Sequence, residues 1–207
     1  MRLTTPVVPL TVSRALAATL ADFVDPVSPL GSLIRNCNAL RVYHLQRTGV
    51  ADWNQVPEIN AGQPHILDGG WRFWGASGSL YGACHVGQET PGAPWKVTGV
   101  SDSVQVLTAL QIYNRLSHIQ IMDSGTVAFE PRILRIPWYP LEAFWLRSTD
   151  RAVPDHFVVF LGFPPPNLPD PTEPISWRDF RGYLGARANV ITRRPGNAAH
   201  QSGLILR

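Results

Sequence analysis

Three side chains in this sequence have the types and the order that nucleophilic catalysis uses: Cys37, then His156, then Asp170. A cysteine hydrolase needs a thiolate, an imidazole to share its proton, and a carboxylate or amide to orient the ring. Cys37 lies near the start of the stretch 36–49, where Ala39, Leu40, Val42, Tyr43 and Leu45 read as a helix that is apolar on more than one face, with Gly49 closing it. A thiol in the first turn of such a helix feels the positive end of the dipole, which lowers its pKa. A buried structural cysteine fits the same stretch. His156 starts the apolar run 156–162. Asp170 follows the proline-rich turn 164–169, and a hairpin would return it beside the imidazole in some registers only.

Other groups are weaker partners. Cys84 and His85 are adjacent on a strand, so their side chains point to opposite faces. His44 is two turns from Cys37 on the expected helix and reads as a packing or capping residue. His65, His118 and His200 read as surface or packing residues, and Asp150 and Asp155 as loop charges. Trp71, Phe73, Trp74, Trp95, Trp138, Tyr139 and Trp145 suit either a core or a groove for peptide or sugar. The two cysteines allow one disulfide. They form no CxxC, and no HExxH occurs, so neither a metal nor a cofactor is implied.

The elements that must position these groups alternate in type. The residues from Thr11 or Ser13 to Val24 form an amphipathic helix stopped by Asp25-Pro26, and Pro29 and Gly31 mark a loop before the Cys37 helix. Short strands follow at 71–75, 79–86 and 95–98, then a helix capped by Ser101 and running to Leu116. Further strands are expected at 119–122, 126–129 and 133–136, with a central one at 156–162. Ser176 and Asp179 resemble a capping box opening a helix to Leu184. Gly185 ends it before a closing strand at 188–192, and the tail beyond Pro195 is loose.

At 207 residues the chain reads as a single domain, 1–207: a helical part at 10–60, a tryptophan-rich middle at 70–150, and a sheet with His and Asp at 154–192. Nineteen prolines and seventeen glycines argue against a helical bundle. The net charge of +3 comes from scattered arginines and one lysine, Lys96, with no stripe for nucleic acid. No apolar run reaches membrane-spanning length, so the expectation is no nucleic acid, no membrane and a cytoplasmic location, with oligomerisation open.

The segment around Cys37, the HFVVFLG strand, the DP after it and ISWRDFRGYLGARANVI occur in the order of papain-like cysteine peptidases. The chain most resembles the bacteriocin-processing, double-glycine peptidases and, more distantly, the leader proteases of picornaviruses. Phe180, Gly185 and Val190-Ile191 also occupy places those families use. The resemblance covers residues 30–50 and 154–192. It implies an α+β, papain-like fold: a central buried helix packed on an antiparallel sheet, enlarged by the tryptophan-rich middle. It also implies a peptidase or amidase acting on a peptide or protein substrate. Cys37 would attack, His156 would protonate the leaving group and Asp170 would orient His156, with Asn167 as the alternative orienting amide. The family's usual Gln, about six residues before the Cys, is Gly31 here, and the Gly after the Cys is Asn38. Ser32, Asn36 or a backbone N–H would therefore supply the oxyanion donor. The alternative is a non-enzymatic subunit of a viral or organellar assembly, or a peptidase-like fold without activity.

Overall fold

The computed structural model describes residues 2–46, 65–116, 118, 127–139, 141–162 and 173–192. The elements run β1 (Arg2–Leu3), α1 (Leu10–Thr19) with a 3-10 turn at Leu20–Asp22, α2 (Pro29–Arg35), β2 (Asn38–Leu45), β3 (Ile66–Ser77), β4 (Leu80–Gly87), β5 (Lys96–Ser101), α3 (Val104–Leu116), β6 (Ala128–Ile136), β7 (Leu141–Ser148), β8 (His156–Leu161), β9 (Ile175–Ser176) and α4 (Trp177–Thr192). The fold is α+β, with one large open sheet in the order β5-β4-β3-β2-β6-β7-β8-β9 and β1 beside β6. Two antiparallel meanders, β2 to β5 and β6 to β9, meet where β2 pairs parallel to β6. Helix α3 makes the crossover between them, as a parallel connection requires.

The largest correction falls on residues 36–49. The described part is strand β2, not a helix, and Cys37 lies between the end of α2 and the start of that strand. Both faces of β2 are buried, with Leu40, Val42 and Leu45 fully enclosed. A strand covered on both sides carries apolar residues without alternation, and periodicity cannot separate it from a buried helix. The central helix expected from the papain-like resemblance is therefore not found at this place.

Other boundaries shift for local reasons. Pro9, not Thr11 or Ser13, precedes α1, and no side chain caps it. Ser28 caps α2 by accepting from the Gly31 N–H at 3.1 Å. Residues 128–136 form one strand through Pro131, which lies between the stretch paired to β1 and the stretch paired to β2. Its missing N–H thus falls where β6 has a gap between neighbours. Strand β8 lies next to the short edge strand β9, so it is not central. Ser176 and Asp179 form the expected cap, with Oγ donating to Oδ2 at 2.7 Å. Helix α4 continues past Gly185, and the strand expected at 188–192 is helical.

Alternation along the strands divides the core into two sides. On one side α3 packs over Leu40, Val42, Trp74, Phe129, Ile133, Phe144, Leu146 and Val158. On the other side α1 and α2 cover Ala39, Trp71, Phe73, Cys84 and Val86, and α4 covers Trp145, Phe157 and Val159. Between these last two clusters lie two arginines. Arg132, 5% exposed, holds its guanidinium 5.1 Å from both the Tyr43 and Trp145 ring centres and pairs with Glu130 at 2.7 Å. Arg41 lies 5.4 Å from the Tyr43 centre and pairs with Asp68 at 2.6 Å.

Candidate functional site

Cys37 and His156 are not brought together. β6 and β7 separate their strands, and at about 4.8 Å per strand that is about 14 Å of sheet. They also pack into different cores. Cys37 packs with the core under α1 and α2, whereas His156 stands edge-on to Phe129 at 5.9 Å in the core under α3. The Cys37 thiol donates to the Ile34 carbonyl oxygen at 3.1 Å. Burial first, and then the proximity of Cys84, push its pKa up to about 12, the reverse of the activation expected at a helix mouth. Burial lowers the His156 pKa, and its Nδ1 is enclosed with no hydrogen-bond partner among the described residues.

The remaining expected site residues scatter. Ser32 and Asn36 are exposed near Cys37, and Asn36 Nδ2 donates to the Ser32 carbonyl at 2.9 Å. Asp170 and Asn167 lie outside the described residues, as does His200. Both cysteines are free, so the disulfide is not formed. Asp155 is not a simple loop charge: it accepts from Trp145 Nε1 at 2.6 Å and from the Ser148 N–H at 2.9 Å. Among the described residues no three His, Cys, Asp or Glu gather to hold a metal ion, and no helix is long and apolar enough to cross a membrane.

A different group of charged residues does converge, on the α3 side. Arg72 of β3 and Glu142 of β7 reach toward each other across β2 and β6 and form a bidentate pair, Nη1 to Oε2 at 2.5 Å and Nη2 to Oε1 at 3.2 Å. Arg135 of β6, in register with both Glu142 and His44, adds Nε to Oε1 at 2.8 Å. Fork-shaped guanidinium contacts of this kind fix a carboxylate in orientation as well as in charge. Burial alone would raise the Glu142 pKa. The hydrogen bond and charge of Arg72, with Arg135 in support, outweigh it and hold the carboxyl below its usual range.

Two histidines border this triad and are both held neutral. Burial, then the charge of Arg72, lower the His85 pKa to about 4. Its Nε2 lies 2.6 Å from the Gly69 carbonyl, which can only accept, so Nε2 carries the proton and Nδ1 accepts from Thr98 Oγ1 at 2.8 Å. Burial, then Arg135, lower the His44 pKa. A bulge between β2 and β3 makes room for both rings. At Gly69 a Cβ would meet His44 Nε2 at 2.7 Å, and at Gly70, with φ +94°, it would meet the Val86 oxygen at 2.3 Å.

The triad forms one wall of a cavity of about 340 Å³ between the sheet and the first turns of α3. Trp74, Val100, Val106, Ala109 and Phe160 supply apolar surface, and Ser101, Ser103 and Gln105 supply neutral polar groups. That volume is within the range of small-molecule sites, and the mixture of apolar walls with few convergent polar groups is their usual composition.

Sequence reasoning missed Arg72, Arg135 and Glu142. Each stands alone among apolar neighbours, in WRFWG, ILRIPW and LEAFW. A lone charge in a buried strand must be paired, and that was the available signal. Comparison of the chain with family models, curated proteins and solved structures gives no match.

Proposed function

We propose that this chain is a binding domain for a small organic anion, seated between α3 and the sheet, rather than a thiol hydrolase. The observation that carries this is the Arg72–Glu142–Arg135 triad on the wall of a largely apolar cavity. Among the described residues two guanidinium charges face one carboxylate there, and His85 is neutral, so one positive charge is left over. A ligand with one negative group and a flat or aliphatic body of modest size complements that charge and the Trp74 and Phe160 surface. Binding is favoured over acid–base chemistry because the groups at the wall do not titrate near neutrality. Glu142 stays ionised and His85 stays neutral, whereas an efficient proton carrier has its pKa near the working pH. The thiol-hydrolase expectation draws no support from the geometry, since Cys37 and His156 pack into different cores with β6 and β7 between their strands.

Calorimetric titration with benzoate, phenylacetate and 2-naphthoate tests the proposal, with benzamide as the neutral isostere. At least one carboxylate is expected to bind, benzamide to bind more weakly, and Arg135→Met to cost about tenfold or more in affinity. Arg135 is two-fifths exposed at its side chain, so this variant is expected to fold. Binding by none of the carboxylates, or equal binding by the variant, overturns the proposal.

A further inference from the structure

A second cleft, of about 290 Å³, opens beside the C-terminal half of α3, where β2 begins and β3 ends. Its walls are Leu33, Leu110, Tyr113 and Trp74, and its polar groups come from Asn36, Asn38 and Asn114 together with Cys37. Trp74 is the one described residue common to both cavities, and it stands 5.8 Å from the Tyr113 ring centre. It is 2% exposed, and its indole Nε1 is enclosed with no hydrogen-bond partner among the described residues. An enclosed N–H without an acceptor is costly to keep, so an acceptor supplied from outside the chain would be bound favourably.

We infer that this cleft binds a neutral, hydroxylated ring of monosaccharide size. Every polar group among the described residues that line it is uncharged. The asparagines are amides, burial raises the Tyr113 pKa, and the Cys37 thiol is protonated, its pKa pushed up to about 12. Among the described residues nothing there offsets a ligand charge, in contrast with the triad cavity. Carboxamides both donate and accept, which suits hydroxyl groups that do the same. Tyr113, half-buried, supplies a flat apolar face for the C–H side of such a ring, and the Trp74 N–H is the donor that a ring oxygen or hydroxyl would satisfy. This inference does not depend on the anion proposal, because the two cavities share only Trp74 among the described residues and differ in charge.

Saturation-transfer NMR and calorimetry on the full chain test it. The probes are glucose, mannose, galactose and N-acetylglucosamine, with gluconate and glucosamine as charged counterparts. At least one neutral sugar is expected to bind with a dissociation constant of about 1 mM or tighter, and the charged counterparts to bind more weakly. Trp74→Phe keeps a ring and removes the N–H, and is expected to weaken binding about fivefold. Asn38→Ala, at an exposed position, tests the same cleft without disturbing the core and is expected to weaken binding as well. Arg135→Met is expected to leave sugar binding unchanged, which separates this site from the anion cavity. The inference is overturned if none of the four sugars binds, if gluconate binds as well as glucose, or if Asn38→Ala and Trp74→Phe both bind like the parent chain.

Discussion

Each side of the sheet carries two arginines matched to carboxylates, and they are used differently. On the α3 side Arg72 and Arg135 converge on the single carboxylate of Glu142 and border an open cavity. On the other side Arg41 and Arg132 each have their own acid, Asp68 and Glu130, and both guanidiniums lie over the Tyr43 ring. The first arrangement leaves a charge facing space. The second balances its charges one to one, with Arg132 buried against aromatic carbon and the Arg41–Asp68 pair about two-fifths exposed. The same residue type therefore lines a cavity on one side and packs on an aromatic ring on the other, and what separates them is stoichiometry.

The largest break in this comparison is expected from Glu142→Ala. It leaves Arg72 enclosed without its partner, and urea unfolding is expected to show a loss of about 3–5 kcal/mol. The double variant Arg72→Met, Glu142→Leu removes both charges together and is expected to regain most of that loss while abolishing carboxylate binding. On the opposite side Arg132→Met is expected to cost about 1–3 kcal/mol through lost ring contacts. Calorimetry with benzoate is expected to show no change in that variant, and a large change there would merge the two sides into one functional unit.

Acid sharpens the same contrast more gently. His85 and His44 have folded pKa values below the ordinary 6.5, so the folded chain binds fewer protons than the unfolded one. Their contribution is complete above pH 6.5 and is lost as pH falls, for His85 through about 4. Glu142, also lowered, gives up its contribution only below the ordinary carboxyl value of 4.5. Stability measured between pH 6.5 and 4.5 is expected to fall by roughly 1–3 kcal/mol, and His85→Gln is expected to flatten that slope. The smallest effect concerns the thiol. Iodoacetamide at pH 6 is expected to leave Cys37 unmodified, because so little thiolate exists with a pKa of about 12. Rapid labelling that depends on His156 would restore the hydrolase reading.

Much of the architecture could be read from the chain. Strands β3, β4 and β5 and helix α3 follow from alternation, turn residues and apolar spacing, and the Ser176–Asp179 cap follows from a local hydrogen-bond rule. Strand β2 could not be read, because burial on both sides erases the pattern that separates strand from helix. Helix α4 was read too short, since a glycine inside a helix costs only about 1 kcal/mol and stops nothing by itself. The candidate site was nearly illegible. Arg72 and Glu142 are seventy positions apart, and only the sheet order brings them into contact. Cys37, His156 and Asp170 drew attention through residue type and order, which say nothing about which side of a sheet a group occupies.

The parallel seam between β2 and β6 has a consequence for how the molecule is assembled. Most pairings inside each meander close between neighbours in the chain, but the seam joins Val42 to Ile133, about 90 residues apart. Contacts of such long range are the slow ones to form, because the entropy of closing the intervening loop is spent before they give anything back. Arg72 comes from one meander, and Arg135 and Glu142 from the other. The triad is thus completed only when the seam zips, and an anion held there would act as a clasp that favours the joined state by mass action.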